Sequence, residues 1–203
     1  MKMKRIQLAF KNMFDFSASL IGLTIISPVF LGICGAIKAT DPGPVFFKQE
    51  RLGKNGKTFQ IIKFRTMVLN AETIGDGLVV QTENDPRITK IGRILRKTSL
   101  DELPQLINII MGQMSLIGPR PPVTYHPYNG YDNYPEWAKK RFQMKPGITG
   151  LAQVEKRNSA TWDERIKIDV DYIENFSLLL DLKILFKTFS SMRYAEEYTG
   201  QTQ

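Results

Sequence analysis

The chain has 203 residues, 42% of them hydrophobic, so it is long enough for one globular domain with a buried core. Its formal net charge of +8 indicates an anionic partner: nucleic acid, phosphorylated small molecules or an acidic membrane surface. The single cysteine, Cys34, and the single histidine, His126, exclude a disulfide framework and a metal site built from several such residues. Carboxylates and basic side chains remain as the groups available for chemistry.

An uncharged apolar segment covers residues 16–37 and is long enough to cross a bilayer as a helix, which needs about 20 residues. Pro28 lies near its middle and predicts a bend, because proline removes a backbone donor and clashes with the preceding turn. The neighbouring Ser27 can bond a backbone carbonyl that is freed there. A signal peptide is disfavoured, because no small-residue cleavage site follows the segment.

Basic residues flank the apolar segment on both sides, and such flanks are typical of the cytoplasmic side of a membrane. They are Lys2, Lys4, Arg5 and Lys11 before the segment and Lys38, Lys48 and Arg51 after it. Two topologies fit this pattern: a kinked helix that spans the bilayer, and a re-entrant helix-break-helix whose two ends are both cytoplasmic. The flanks alone do not decide between them.

The rest of the chain predicts an α+β fold that is mostly helical. Residues 45–64 are β-rich on either side of a Gly-Lys-Asn-Gly turn, which predicts a β-hairpin. Apolar residues at helical spacing from Leu103 to Met111 predict an amphipathic helix that Gly112 ends. Further helices are expected over residues 89–96, 135–142, 162–176 and 177–194, and Gly/Pro-rich loops over residues 117–122 and 145–150. The last helix carries leucines on one side and lysines on another, which fits either an interfacial membrane position or packing on the protein's own core.

The adjacent carboxylates Asp101 and Glu102 are the candidate reactive groups. The spacing of Ser99 and Glu102 also fits a capping box, so the acidic pair can be explained as the start of a helix. Basic residues accompany the pair, however: Arg93, Arg96 and Lys97 lie just upstream, and Lys63 and Arg65 lie at the end of the predicted hairpin. Such a set suits phosphoryl chemistry, in which one carboxylate attacks phosphorus, the other binds Mg²⁺ and the cations offset charge. The cations are also expected to keep Asp101 ionised at neutral pH.

Five segments, in order along the chain, resemble the signature of the bacterial sugar transferases, the monotopic phosphoglycosyl transferases. They are Ser27-Pro28 within the apolar segment, Lys63-Phe64-Arg65-Thr66-Met67, the run from Arg96 to Leu106, the run from Met114 to Pro121, and Pro146-Gly147-Ile148-Thr149-Gly150. The resemblance covers the chain from about residue 10 to about residue 190, and the length is similar to that of the small members that contain the catalytic core alone.

The resemblance implies a reaction. A sugar phosphate is transferred from a nucleoside diphosphate sugar, expected to be a UDP-sugar, to polyprenol phosphate, giving polyprenyl diphosphate sugar and UMP. The implied mechanism is ping-pong, with Asp101 as the nucleophile and Glu102 as the Mg²⁺ ligand. Arg96 and Arg157 match arginines that hold phosphates in the family, and Lys63 and Arg65 join them as candidate phosphate contacts. Lys156 stands in place of the glycine that usually precedes the second of these arginines.

The resemblance also implies a place in the cell. Residues 1–40 are expected to form a re-entrant membrane helix, broken at Ser27 and Pro28. Residues 41–203 are expected to form a single catalytic domain with amphipathic interfacial helices, on the cytoplasmic leaflet of the bacterial inner membrane. The partners implied are the nucleotide sugar, polyprenol phosphate and membrane lipids, in the first membrane step of glycan assembly. No nucleic acid partner is expected, and the oligomeric state is not indicated.

A different class of function remains as the alternative, a membrane-anchored nucleic-acid-binding protein. The charge of +8 favours it, as do aromatic residues of the hairpin that resemble a base-stacking surface. These aromatic residues are Phe46, Phe47, Phe59 and Phe64. The alternative leaves the Asp101-Glu102 pair and the ordered motifs without an explanation.

Overall fold

The computed structural model describes residues 2–74, 85–156 and 160–198 and is mostly helical with two small sheets, which confirms the predicted α+β class. The helices are α1 (Lys2–Ile25), α2 (Ser27–Thr40), α3 (Lys90–Lys97), α4 (Gln105–Ile110), α5 (Glu136–Lys139), α6 (Leu151–Lys156), α7 (Trp162–Glu174) and α8 (Leu178–Tyr198). The strands are β1 (Phe46–Leu52), β2 (Thr58–Phe64), β3 (Ser115–Ile117) and β4 (Gly147–Thr149). Short 3₁₀ turns lie at Lys54–Gly56, Ala71–Thr73, Leu100–Glu102 and Lys140–Gln143.

The predicted hairpin is confirmed: β1 and β2 pair antiparallel, with Phe46 opposite Phe64. The Phe64 ring is buried and lies 4.7 Å from the ring of Phe30 on α2, and it stacks on Phe46 at 5.7 Å between centroids. Phe59 is buried on the same hairpin. Phe46 and Phe64 pack on α2, and Phe59 packs with Ile109 of α4, so these three rings are not free to stack on nucleic acid bases.

The Gly/Pro loop predicted over residues 145–150 is corrected, because it contains β4. The loop predicted over residues 117–122 begins at the last residue of β3, and β3 pairs in parallel with β4. A side chain at Gly147 would overlap the backbone of Gly118, so the pairing depends on two backbones that approach closely. Strands of three residues show no alternation of polar and apolar side chains, and the sequence pattern therefore did not distinguish them from loops. Helix α6, which follows β4, was also not predicted.

The predicted helices are confirmed with shifted ends. Helix α4 begins at Gln105 rather than Leu103, since the 3₁₀ turn Leu100–Glu102 precedes it. Gly112 follows its end with φ +76°, as expected of a glycine that ends a helix. Helix α5 continues as a 3₁₀ turn over the rest of residues 135–142, and α3, α7 and α8 occupy the other three predicted stretches.

Helix α1 buries a stripe of polar side chains and exposes most of its large apolar ones. Lys11, Asp15 and Ser19, spaced four residues apart, form a buried stripe against the protein. The exposed large apolar side chains of α1 are Ile6, Phe10, Met13, Phe14, Phe16, Leu20, Ile21 and Ile25. A continuous apolar face of this kind is unfavourable in water and typical of contact with lipid.

A buried polar network joins α1 to the rest of the protein. The Lys11 ammonium lies 2.6 Å from the Asp181 carboxylate on α8 and 3.8 Å from Asp15. The Tyr172 hydroxyl donates to Asp181 at 2.6 Å, and the Ser115 hydroxyl donates to Asp15 at 2.6 Å. Burial raises the pKa of Asp181, and the ion pair with Lys11 partly offsets this effect. The docking of α1 on the protein is therefore made by paired charges.

The break between α1 and α2 falls where proline was expected to bend the segment. Pro28 lacks the N–H that would bond the Thr24 carbonyl, and the Ser27 hydroxyl donates to that carbonyl at 2.8 Å instead. Within the described residues, no single helix has the length and apolar character needed to cross a membrane. The pair Arg5–Ile25 and Ser27–Thr40, bent by 64°, meets the same criterion only when both helices are taken together.

Helix α8 packs one face on the core and exposes apolar side chains on another face. Ile184 is buried, and Leu180 and Leu185 pack around the same core cluster. An opposite set of large apolar side chains is exposed: Leu178, Leu179, Leu182, Phe186 and Phe189. One face of the helix therefore belongs to the core, and another presents apolar side chains outward.

Candidate active site

The candidate site lies where the end of β2, the 3₁₀ turn Leu100–Glu102 and the loop after β3 come together. The Glu102 carboxylate is 2.5 Å from the Lys63 ammonium of β2. It is also 3.8 Å from the guanidinium of Arg120, which belongs to the loop. Glu102 is only 22% exposed and Lys63 17% exposed, so this ion pair is largely shielded from water.

The alternative explanation of Ser99 and Glu102 as a capping box is wrong. Ser99 has φ +56° and its side chain makes no capping hydrogen bond. The Glu102 carboxylate is bonded to Lys63 instead of the backbone N–H of Ser99. A non-glycine residue in this left-handed conformation is strained, and such strain is concentrated at functional sites. The turn that it makes after α3 sets the acidic pair beside the hairpin.

The two adjacent carboxylates have pKa shifts of opposite direction. Burial raises the pKa of Asp101 as the largest effect, Lys63 and Arg96 lower it, and Glu102 raises it. Burial also raises the pKa of Glu102, but Lys63 and Arg120 together lower it further, so the net shift is downward. Asp101 makes no ion pair with a described residue, whereas Glu102 is held in one. Glu102 is therefore a fixed negative charge, and Asp101 is the more basic carboxylate, which suits a nucleophile.

Arg96, the first arginine predicted to hold phosphate, lies on the Asp101 side of the site. Its Nε donates to the Thr66 hydroxyl at 2.8 Å, which fixes the direction of the guanidinium. Burial lowers the pKa of Arg96, and Asp101 raises it by its negative charge. Arg96 and Asp101 are therefore close enough to interact electrostatically.

Two basic residues of the site were not predicted, Arg51 and Arg120. They line one cavity with Lys63 and Gln105. Arg120 lies in the run from Met114 to Pro121 that resembles the family signature, but no role was given to it. Arg51 was counted only as a flank of the apolar segment. Side chains alternate along strands, and the hairpin register places Arg51 on the same face as Lys63, which was the available signal.

Arg65 was predicted to contact phosphate, but in the structure its guanidinium binds the backbone of the segment after α2. It is buried, and its guanidinium donates to the backbone carbonyls of Asp41 at 2.6 Å and Pro42 at 3.4 Å. An Asp41 carboxylate oxygen lies 3.5 Å away. Arg65 therefore ties the segment after α2 to the hairpin and is not brought together with Asp101. The other predicted contact, Arg157, lies outside the described residues.

Among the described residues, the acidic pair is the part of the site that fits a magnesium ion. Among the described residues no group of three or more His, Cys, Asp or Glu side chains is placed to hold a metal. Mg²⁺ is often bound by one or two carboxylates together with substrate phosphates and water, and the Asp101-Glu102 pair fits that pattern. Lys63 competes for the Glu102 carboxylate, so a magnesium site there depends on phosphate oxygens from the substrate.

The site geometry indicates one kind of chemistry. Asp101, which has no ion pair with a described residue, lies beside the fixed carboxylate of Glu102, and the surrounding cations come from β1, β2, α3 and the loop after β3. This arrangement suits covalent group transfer between phosphorylated substrates.

Comparison with known proteins gives the family. The sequence model described as bacterial sugar transferase matches residues 6–194. The chain belongs to the bacterial sugar transferase family.

Three relatives show how the chain relates to longer proteins. It is 38% identical over 195 residues to the exopolysaccharide production protein ExoY of Sinorhizobium fredii, covering 90% of this chain and 84% of that protein. It is 43% identical over 188 residues to the galactosyl transferase CpsE of Streptococcus agalactiae, covering 88% of this chain and 41% of CpsE. It is 43% identical over 188 residues to the UDP-glucose:undecaprenyl-phosphate glucose-1-phosphate transferase of Klebsiella pneumoniae, covering 90% and 40%. The chain thus spans about two fifths of the last two relatives.

Proposed function

We propose that the protein transfers a sugar 1-phosphate from a UDP-sugar to a polyprenol phosphate, giving a polyprenyl diphosphate sugar and UMP. The observation that carries the proposal is the acidic pair, in which Asp101 has no ion pair with a described residue and Glu102 is fixed by Lys63. The name of the Klebsiella relative supports the two substrates. Relatives named for glucose and for galactose are about equally similar to this chain, so the sugar is left unassigned.

The reaction divides into two displacements at one phosphorus atom. A carboxylate oxygen of Asp101 forms a bond to the phosphorus that carries the sugar, and the bond from that phosphorus to the UMP oxygen breaks, with its electron pair leaving on UMP. An oxygen of polyprenol phosphate then bonds to the same phosphorus, and the Asp101 carboxylate leaves. The charges balance in both steps. Arg96, anchored on Thr66, lies where it can offset charge on the transferred group.

A magnesium ion, when bound, would neutralise charge on the diphosphate, and Glu102 is the residue proposed to hold it. Activity is expected to disappear in a chelator and to return when Mg²⁺ is added. Glu102→Gln is expected to lower the rate by orders of magnitude, roughly 10² or more, as loss of a direct ligand does. Undiminished UMP release in the chelator would contradict the assignment of Glu102.

The function is tested by a panel of UDP-sugars incubated with the full chain and undecaprenyl phosphate. Release of UMP together with a lipid-linked sugar diphosphate is the expected result for at least one member of the panel. A nucleic acid titration at two salt concentrations serves as the control for the alternative function. Salt-sensitive nucleic acid binding without any UMP release would favour that alternative.

The pH dependence of the first displacement follows from Asp101. The nucleophile must be ionised, so the rate is expected to fall as the pH falls through a pKa that burial has raised above that of an ordinary aspartate. Lys63 lowers this pKa, so Lys63→Met is expected to move the acidic limb to higher pH. The measurement is single-turnover UMP release against pH, with Lys48→Met as the control from the opposite face of β1. An unchanged acidic limb in Lys63→Met would contradict Asp101 as the titrating group.

We further propose that α1 and α2 enter and leave the cytoplasmic leaflet of the inner membrane as a re-entrant pair. The outward apolar face of α1, the buried stripe of Lys11, Asp15 and Ser19, and the 64° bend support this. Cysteines placed one at a time at positions 2 and 50 are expected to react with a membrane-impermeant reagent from the same, cytoplasmic side. Pro28→Ala is expected to straighten the break and to move a fraction of molecules to a spanning form. Labelling of the two positions from opposite sides in the unaltered background would refute re-entry.

A further inference from the structure

A cavity beside Glu102 is lined by three basic side chains from separate elements. Arg51 belongs to β1, Lys63 to β2 and Arg120 to the loop after β3. Glu102, at 2.5 Å from Lys63 and 3.8 Å from Arg120, is the negative charge that they share. These three cations outnumber the neighbouring carboxylates of Glu102 and Asp101, so the cavity suits an anionic group.

Two hydrogen bonds fix the guanidinium of Arg51, but one of its buried donors has no partner in the described part of the chain. Its guanidinium donates to the Pro121 carbonyl at 3.1 Å and to the Gln49 side chain at 2.6 Å. Its Nε is buried and has no hydrogen-bond partner in the described part of the chain. Burial, with the nearby charge of Arg120, lowers the pKa of Arg51 to about 10. The charges of Arg51 and Arg120 repel each other, and an anion in the cavity would offset that repulsion.

The two displacements proposed above place two different substrates at one position. Attacking and leaving oxygens lie roughly in line at phosphorus. Because Asp101 enters in the first step and leaves in the second, UMP departs from the position through which polyprenol phosphate arrives. Both are phosphate monoesters, and at neutral pH such a group carries a charge of about −1.5 to −2.

We propose that Arg51 and Arg120 form a phosphate monoester subsite that UMP and polyprenol phosphate occupy in turn. The proposal rests on the transfer reaction proposed above. Arg120 supplies its charge next to Glu102. Arg51 supplies charge and, through the Pro121 carbonyl, also holds the loop that carries Arg120. Arg96, bonded to Thr66, serves the transferred phosphate and is not part of the subsite.

The first arm of the test is UMP binding by calorimetry to the full chain in detergent. Arg120→Met is expected to raise the Kd for UMP about tenfold or more, as the loss of a charge-assisted contact to phosphate does. Arg120 is 43% exposed, so this variant is expected to fold. Arg51→Lys keeps the charge but loses the fork geometry, and a smaller loss of affinity is expected. The control is Lys48→Met, an exposed cation on the opposite face of β1, with unchanged affinity.

The second arm follows the acceptor. Enzyme first loaded by a UDP-sugar is chased with increasing undecaprenyl phosphate, and Arg120→Met is expected to raise the half-saturating concentration by a factor similar to that for UMP. Weaker UMP binding with unchanged acceptor dependence would overturn shared use of the subsite. Unchanged UMP binding in both arginine variants would overturn the subsite itself. Failure of the wild-type chain to load from any UDP-sugar would count against the proposed reaction, while the binding arm would still judge the subsite.

Discussion

Asp101→Asn is expected to abolish both UMP release and covalent labelling when the enzyme is incubated with its UDP-sugar alone. In the proposed mechanism a carboxylate oxygen of Asp101 is the nucleophile that bonds to phosphorus. An amide is a far poorer nucleophile. The expected loss of turnover is on the order of 10⁴-fold or more, as for other essential nucleophiles. The wild-type chain is expected to release up to one UMP per active site and to gain the mass of one sugar phosphate, measured by intact-protein mass spectrometry.

Asp101→Asn is a clean test because the side chain supports little of the fold. Asp101 has no ion pair with a described residue, so the amide breaks no direct charge pair. An unchanged unfolding transition is therefore the expected control. Peptide mapping of the adduct adds a second control, because an adduct on Glu102 would reverse the roles given to the two carboxylates.

A direct attack by polyprenol phosphate in a ternary complex is the competing mechanism. It gives Asp101 only an electrostatic role or that of a base, and it predicts no UMP release until the acceptor is present. Initial-rate lines that intersect instead of running parallel, with no adduct trapped, would favour it and would remove the nucleophilic role from Asp101.

The parts of the fold that the sequence predicted are those with a strong local pattern. The hairpin has β-rich runs around a Gly-containing turn, and residues 103–111 and α8 have a helical period, so each pattern identified its element. The Ser27-Pro28 break was predicted because proline has a fixed effect on a helix wherever it occurs. Strands β3 and β4 were missed, since a three-residue parallel pairing is decided by the close approach of Gly118 and Gly147, which is a tertiary contact.

The candidate site was predicted only in part, because local sequence motifs identify some of its residues but not the direction in which their side chains point. Asp101, Glu102 and Arg96 lie in one continuous run, and Lys63 lies in a second recognisable motif, so their types and spacing identified them. Arg65, two residues beyond Lys63, belongs to the same motif but is buried against Asp41. Neighbours in sequence thus differ in role because the strand ends between them. No local pattern reports that difference.

The polar stripe of α1 was missed by the hydrophobic periodicity, as is expected of a helix in the membrane position proposed above. The prediction for this segment used its apolar residues, and Lys11 was counted only as a flanking charge. In the structure Lys11 is buried together with Asp15 on the inner face of α1. The inner face of a helix that contacts lipid on its other side carries the polar residues, so the usual relation between apolar character and burial is inverted.

Lys11→Met is expected to destabilise the folded protein strongly. The variant leaves Asp181 and Asp15 buried without their counter-ion, and breaking a buried pair on one side costs about 3–5 kcal/mol. The matched control is Lys187→Met, which removes an ion pair with Glu155 whose partners are 59% and 40% exposed. An exposed pair of this kind contributes about 0–1 kcal/mol. The measurement is the shift of the unfolding temperature in detergent or nanodiscs.

The double variant Lys11→Met with Asp181→Asn separates lost charge pairing from lost packing. The asparagine side chain is neutral and can still accept the hydrogen bond that the Tyr172 hydroxyl donates to Asp181. The double variant is therefore expected to recover part of the stability lost in Lys11→Met, as a coupled pair in a double-mutant cycle does. If the losses of stability from the two single substitutions simply added in the double variant, Lys11 would act on α1 independently of Asp181. Because α1 is joined to α7, α8 and β3 through this network, Lys11→Met is also expected to increase proteolysis near the N-terminus, whereas Lys187→Met is not.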